Sequence, residues 1–213
     1  MTTARPPDAR PPEELPPAPR PVPRWAHVVS EVFAPAHLVM ALPFAIGWRA
    51  TWPELSGALW GLIASLFCGA VPYAIILAGV RAGRLTDKHI RRRDQRLLPL
   101  ALALASVVAG LAALLLFRAT PAVVVLVLGM LGALVVIVPV TAFWKISLHS
   151  AVAAGAATAL TVTFGPYAAA LAWPLTVLVA AARVALRAHT TAQVIAGGLV
   201  GFLVPFGVYL LAG

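Results

Sequence analysis

The chain has 213 residues, of which 61% are hydrophobic and only 11% charged. Soluble domains of this size carry about a quarter charged residues, so the composition excludes an ordinary cytosolic enzyme and a disordered protein. The charge is lopsided, 16 Lys and Arg against seven Asp and Glu for a formal +9, and no carboxylate side chain follows Asp94; the second half therefore lacks the oxygen donors that magnesium or calcium requires.

Residues 1–24 hold nine of the 19 prolines together with Arg5, Arg10, Arg20 and Arg24. Proline at this density blocks helix and sheet, which predicts a disordered Pro/Arg-rich tail over residues 1–26 with no apolar core of the signal-peptide kind. The remainder, 27–213, reads as one membrane domain. Apolar runs of spanning length fall near 33–50, 56–80, 97–117, 120–143, 149–165, 167–186 and 190–212. The first, with Pro35 and Pro43, can also lie partly in the interface. The fifth and sixth are short and form a tight hairpin turned at Gly165–Pro166. Every backbone amide must be paired inside lipid, and the alternation of a barrel strand is absent. The fold class is therefore all-α, a polytopic transmembrane helical bundle of about six to seven spans. Cys68, the single cysteine, reads as a small buried residue, and His37 as a packed, hydrogen-bonded one.

Loop charge gives the orientation. Seven spans put the tail, the loop 81–96, the junction 144–149 and the junction 183–189 on one side, with 14 of the 16 basic residues; Arg49 and Arg118 lie on the other. The positive-inside rule makes the first side cytoplasmic, in a cell membrane. The loop 81–96 is basic, but it is juxtamembrane and has no stacking aromatic among its charges, which argues against nucleic acid.

Charged groups and imidazoles near a span are costly and are functional candidates by default. Three sets converge on the cytoplasmic side: Arg84 to Arg96 with Lys88 and His89; Lys145, Ser147 and His149; and Arg183, Arg187, His189 and Gln193. Guanidinium forks and lysines bind phosphate oxygens. His189 and Gln193 are four apart and share a helix face, so Gln193 can hold one ring nitrogen while the other acts as a nucleophile toward phosphorus. His149, protonated, can give a proton to the leaving oxygen. No metal and no organic cofactor enters such chemistry.

At these residues the sequence resembles a known family. Lys145-Ile-Ser-Leu-His149 is similar to the Pro-Ser-Gly-His motif of the type 2 phosphatidic acid phosphatase superfamily, which includes vanadium haloperoxidase-like folds. Ala182-Arg183, five residues, His189, three residues, Gln193 is similar to that family's Ser-Arg, five, His, three, Asp motif. The basic loop ending at Arg96 resembles its Lys, six, Arg-Pro motif. The resemblance covers roughly residues 81–200 and is most specific in the third motif. It implies that His189 is the nucleophile, His149 the general acid, and Arg96, Arg183 and Ser147 phosphate ligands, with Lys145 beside them. Lys88 and His89 compete for the first-motif role: Lys88 is seven residues before Arg96, and strict spacing falls on His89. It further implies metal-independent hydrolysis of a membrane lipid phosphate, polyprenyl or glycerolipid. The chain departs from the motifs at Ile146, Leu148, Ala182 and Leu97, and at Gln193, where the family keeps an Asp. A carboxylate both aligns the histidine and stabilises its imidazolium form; Gln193 retains the alignment alone. This leaves a second reading, a lipid-phosphate-binding or transport accessory protein that has lost full activity.

Overall fold

A computed structural model describes residues 22–88, 90 and 92–212, and no strand occurs among them. The predicted tail through residue 21, and His89, lie outside the described residues. The helices are α1 (Arg24–Val32), α2 (Pro35–Thr51), α3 (Ser56–Ser65), α4 (Val71–Arg81), α5 (Leu97–Leu116), α6 (Pro121–Phe143), α7 (Leu148–Phe164), α8 (Pro166–Ala185) and α9 (Thr191–Ala212). A single π-helical turn, Leu66–Ala70, joins α3 to α4 into one 26-residue element.

Five elements are long and apolar enough to cross a membrane: Ser56–Arg81, α5, α6, α8 and α9. The pair α1 and α2, bent by 41°, makes a sixth when taken together. The chain is thus a multi-pass helical membrane protein. The expected spans match α2 and its successors to within about two residues, but α1 was unforeseen. It begins inside the stretch read as tail and turns Trp25, Val28 and Val32 outward while burying Ala26 and Ser30 against α8. Pro35 then starts α2 at a position where its missing N–H costs nothing.

The fifth apolar run, α7, has only 17 residues and a length of about 25 Å at 1.5 Å per residue. It is the central helix. Ala151, Ala153, Ala154, Ala156, Ala157 and Ala159 are all buried, and these small side chains let α9, α8 and α2 pack around it. Gly165, at φ +80, makes the turn from α7 into Pro166. The starts of α2, α5, α7 and α9 and the ends of α4, α6 and α8 consequently gather at one end of the bundle.

Candidate active site

At that end Arg96, Ser147, His149, Ser150, Arg183 and His189 are all buried, each no more than 7% exposed. Helix-cap chemistry explains how each is held. Ser147 caps α7: its Oγ accepts from the Ser150 amide at 3.4 Å and from Ser150 Oγ at 3.1 Å. This fixes the first turn, from which His149 projects. The Ser147 amide also donates to the Gln193 carbonyl at 3.2 Å, tying α7 to α9. Gly197 and Gly201 of α9 complete the tie. A β-carbon at Gly197 would meet the Ser147 carbonyl, and one at Gly201 the Ala151 carbonyl; the two helices therefore touch backbone to backbone, as small residues four apart allow.

His189 sits in the α8–α9 turn. The Arg183 carbonyl accepts from the amides of Ala188 at 3.1 Å and His189 at 3.3 Å, and Arg187 takes a left-handed φ of 51° to permit this reversal. Thr190 and Gln193 then form a capping box: the Thr190 amide donates to Gln193 Oε1 at 3.2 Å, and the Gln193 amide donates to Thr190 Oγ1 at 3.3 Å. The same Oε1 lies 3.1 Å from His189 Nδ1. An atom that accepts from a backbone amide is an oxygen, so His189 Nδ1 carries the proton and Nε2 the lone pair. Burial, followed by the positive charges of Arg96 and Arg183, pushes the His189 pKa down to about 4, against the weaker upward pull of the Gln193 bond. The ring is neutral at physiological pH, with its basic nitrogen on Nε2.

Arg96 stands just before α5 and bridges two loops. Its Nε donates to the Ile90 carbonyl at 2.8 Å and its Nη1 to the Ile146 carbonyl at 3.1 Å. Burial lowers its pKa, with Asp87 pulling the other way.

Arg96, His149, Arg183 and His189 line one cavity of about 120 Å³, joined by Lys88 and, from helices not foreseen in the site, by Glu31, His37 and Tyr73. Three cations face a single lining carboxylate, so the cavity favours anions. Lys88 is exposed and donates to Glu31 Oε2 at 2.7 Å, which clips the basic loop to α1. His37, expected to be packed and hydrogen-bonded, donates through Nδ1 to the Val32 carbonyl at 3.2 Å but is exposed rather than packed. Ser147, Gln193 and Lys145 do not line this cavity; Lys145 is near enough for its charge to act on His189. Among the described residues no cluster of three His, Cys, Asp or Glu could hold a metal ion.

A neutral imidazole with a lone pair on Nε2, a second buried imidazole, and two buried guanidiniums around one small cavity can bind a tetrahedral oxyanion and exchange a group on it. Ser150 was missed by the motif reading, although Ser at the cap and again three residues later is visible in the sequence. Glu31 and Tyr73 carry no local signal, because their place depends on how α1 and α4 pack. Comparison with known proteins adds nothing to this geometry: no family model, no curated protein and no solved structure matches the chain.

Proposed function

We propose that this protein is a metal-independent phosphatase of membrane lipid phosphates, a divergent relative of the type 2 phosphatidic acid phosphatases. Its substrate is a phosphomonoester or diphosphate on a polyprenyl or glycerolipid, and its intermediate is a phosphohistidine at His189. The observation that carries the reading is the burial of Arg96, His149, Arg183 and His189 around one cavity, although they come from three separate junctions of the chain.

The chemistry follows from the hydrogen bonds. The phosphoryl group rests against the Arg96 and Arg183 guanidiniums, which stabilise the charge on its oxygens in the transition state. Nε2 of neutral His189 attacks phosphorus as the bond to the lipid oxygen breaks. His149, protonated, gives its proton to that oxygen, and the lipid alcohol leaves, or the lipid monophosphate where the substrate is a diphosphate. Neutral His149 then accepts a proton from water as the water oxygen attacks the phosphohistidine; the N–P bond breaks, inorganic phosphate forms and both imidazoles are restored. Gln193 fixes the Nδ1–H tautomer throughout. Being uncharged, it stabilises the cationic ring less than a carboxylate does, so turnover is slow. The excess of basic residues at this end of the bundle supports a cytoplasmic site in the plasma membrane.

The test is phosphate release from a panel of lipid phosphates in chelator, with vanadate as inhibitor and His189→Ala as blank. Release by the wild type alone, abolished by vanadate, is the expected result; equal release from both proteins removes catalysis. A second reading, a binder without turnover, is favoured by the double use of Gln193 Oε1 as helix cap and ring anchor, a structural duty that needs no catalysis. Phosphate-lipid binding without release in this panel supports it.

A further inference from the structure

Beneath the cationic cavity lies a second, larger one of about 200 Å³. Pro35, Tyr73, Ile76, Leu100, Ala103 and Leu148 line both, so the two adjoin, the polar one beside the cations and the apolar one deeper in the bundle. The inner part follows α5 from Leu100 to Val107 and α7 from Leu148 to Ala156, roughly 10–12 Å along the helix axes at ~1.5 Å per residue. Small residues such as Ala133, Ala151 and Gly155 face it. Toward α9, Ala151 and Gly155 let the helices touch; toward the chamber, their small size leaves a gap. Cys68 and Tyr73 supply its polar side chains and the rest of the lining is apolar, a surface that favours an apolar guest over water. Apolar cavities of roughly 150 Å³ stay dry and take apolar guests.

We infer that this inner chamber takes one hydrocarbon chain of the phosphate-bearing molecule, so that the preferred ligand is a single-tailed lipid phosphate whose tail enters the bundle rather than lying along its outer surface. The inference rests on the phosphate-site reading for the headgroup. The argument for the occupant is adjacency: a chain attached to a phosphate seated between Arg96 and Arg183 meets the chamber across lining residues that the two cavities share. The chamber's role is positional. A tail already in lipid gains no hydrophobic energy by moving into an equally apolar interior. What it gains is a fixed direction, which aligns the phosphorus with His189 Nε2. About 200 Å³ along these helix turns is room for a single chain, so a diacyl phosphate would leave its second tail outside.

The experiment is photolabelling of the full chain in lipid nanodiscs with hexadecyl phosphate carrying a diazirine midway along the chain. Label is expected on chamber residues such as Met130, Ala133 and Pro205. Unlabelled hexadecyl phosphate should suppress it, and hexadecanol should not. Ala133→Phe fills the chamber and should reduce that labelling about tenfold, equivalent to roughly 1.4 kcal/mol, while vanadate binding to the cationic cavity is retained. Farnesyl phosphate and lysophosphatidate, as competitors, distinguish prenyl from acyl chains; dipalmitoyl phosphatidate should compete about tenfold less well than either. Label confined to outward-facing Leu128 and Val135 overturns the inference, and so does equal suppression by hexadecanol or by the diacyl lipid. Labelling requires no turnover. A labelled chamber without phosphate release therefore sinks the phosphatase and keeps the tail site, and release without chamber labelling does the reverse.

Discussion

Replacing Gly197 by alanine tests the contact that holds the two halves of the site together. A β-carbon there meets the Ser147 carbonyl oxygen well inside contact distance, the Ser147 carbonyl carbon at 3.3 Å and the Ala151 amide nitrogen at 3.4 Å. All three are backbone atoms, so no side chain can swing aside and α7 itself must move. Relief requires a shift of about 1 Å at the residue two before His149. Overpacking of this kind costs about 1–3 kcal/mol, and a rigid neighbour places it near the top of that range. The helix-propensity gain of alanine over glycine returns about 1 kcal/mol, leaving a net loss near 2 kcal/mol. For a chain of this size that lowers the Tm by roughly 4–8 °C. The matched control is adjacent: a β-carbon at Gly198 meets nothing within 4 Å, so Gly198→Ala should be neutral or stabilising by up to about 1 kcal/mol. Thermal unfolding of both variants in detergent gives the comparison. Phosphate release should fall on the order of 100-fold in Gly197→Ala alone, because a 1 Å misplacement of reacting groups costs that much. Equal Tm and equal release in the two variants would refute the backbone-to-backbone packing of α7 on α9.

Three further outcomes follow from the same geometry. His189 should titrate near pH 4 by histidine NMR, with His189→Ala assigning the signal. Its pKa is lower folded than unfolded, so protonation opposes folding and stability should fall as pH drops from about 6.5 toward about 4; titration at 6.5 contradicts a buried, cation-flanked ring. Gln193→Glu keeps the capping box and adds a charge beside Nδ1, so it should raise the His189 pKa and increase turnover about tenfold or more; unchanged turnover favours the binder. Arg96→Lys cannot span the Ile90 and Ile146 carbonyls with a planar fork, so vanadate inhibition should weaken about tenfold and the loop 81–96 should become easier to cut by protease.

Most of the fold was legible because hydropathy and proline placement are local. Gly165–Pro166, Pro121 and Thr191 mark helix ends within two residues of their observed positions. Two features were hidden. The nine residues of α1 are too few to show a helical period, and they follow directly on the proline-rich stretch, so they were divided between the tail and an unassigned lead-in to the first span. The π-helical turn at Leu66–Ala70 leaves composition unchanged and registers only in backbone geometry. For the candidate site, span parity was enough to send Arg96, His149, Arg183 and His189 to one end. Parity could not reveal that Ser147 and Gln193 act as caps and do not line the cavity, because cap bonds depend on the dihedral angles of the junctions. Nor could it pair Lys88 with Glu31, which are 57 residues apart and brought together only by the packing of α1.

The central claim is that His189 accepts the phosphoryl group. The direct measurement is rapid acid-free quenching of the wild-type protein with a lipid phosphate bearing radioactive phosphorus, followed by peptide mapping of the bound label. The account predicts alkali-stable, acid-labile label on the peptide containing His189, formed without added metal and absent in His189→Ala. Phosphate release that proceeds with no label on that peptide, or that persists in His189→Ala, would contradict it.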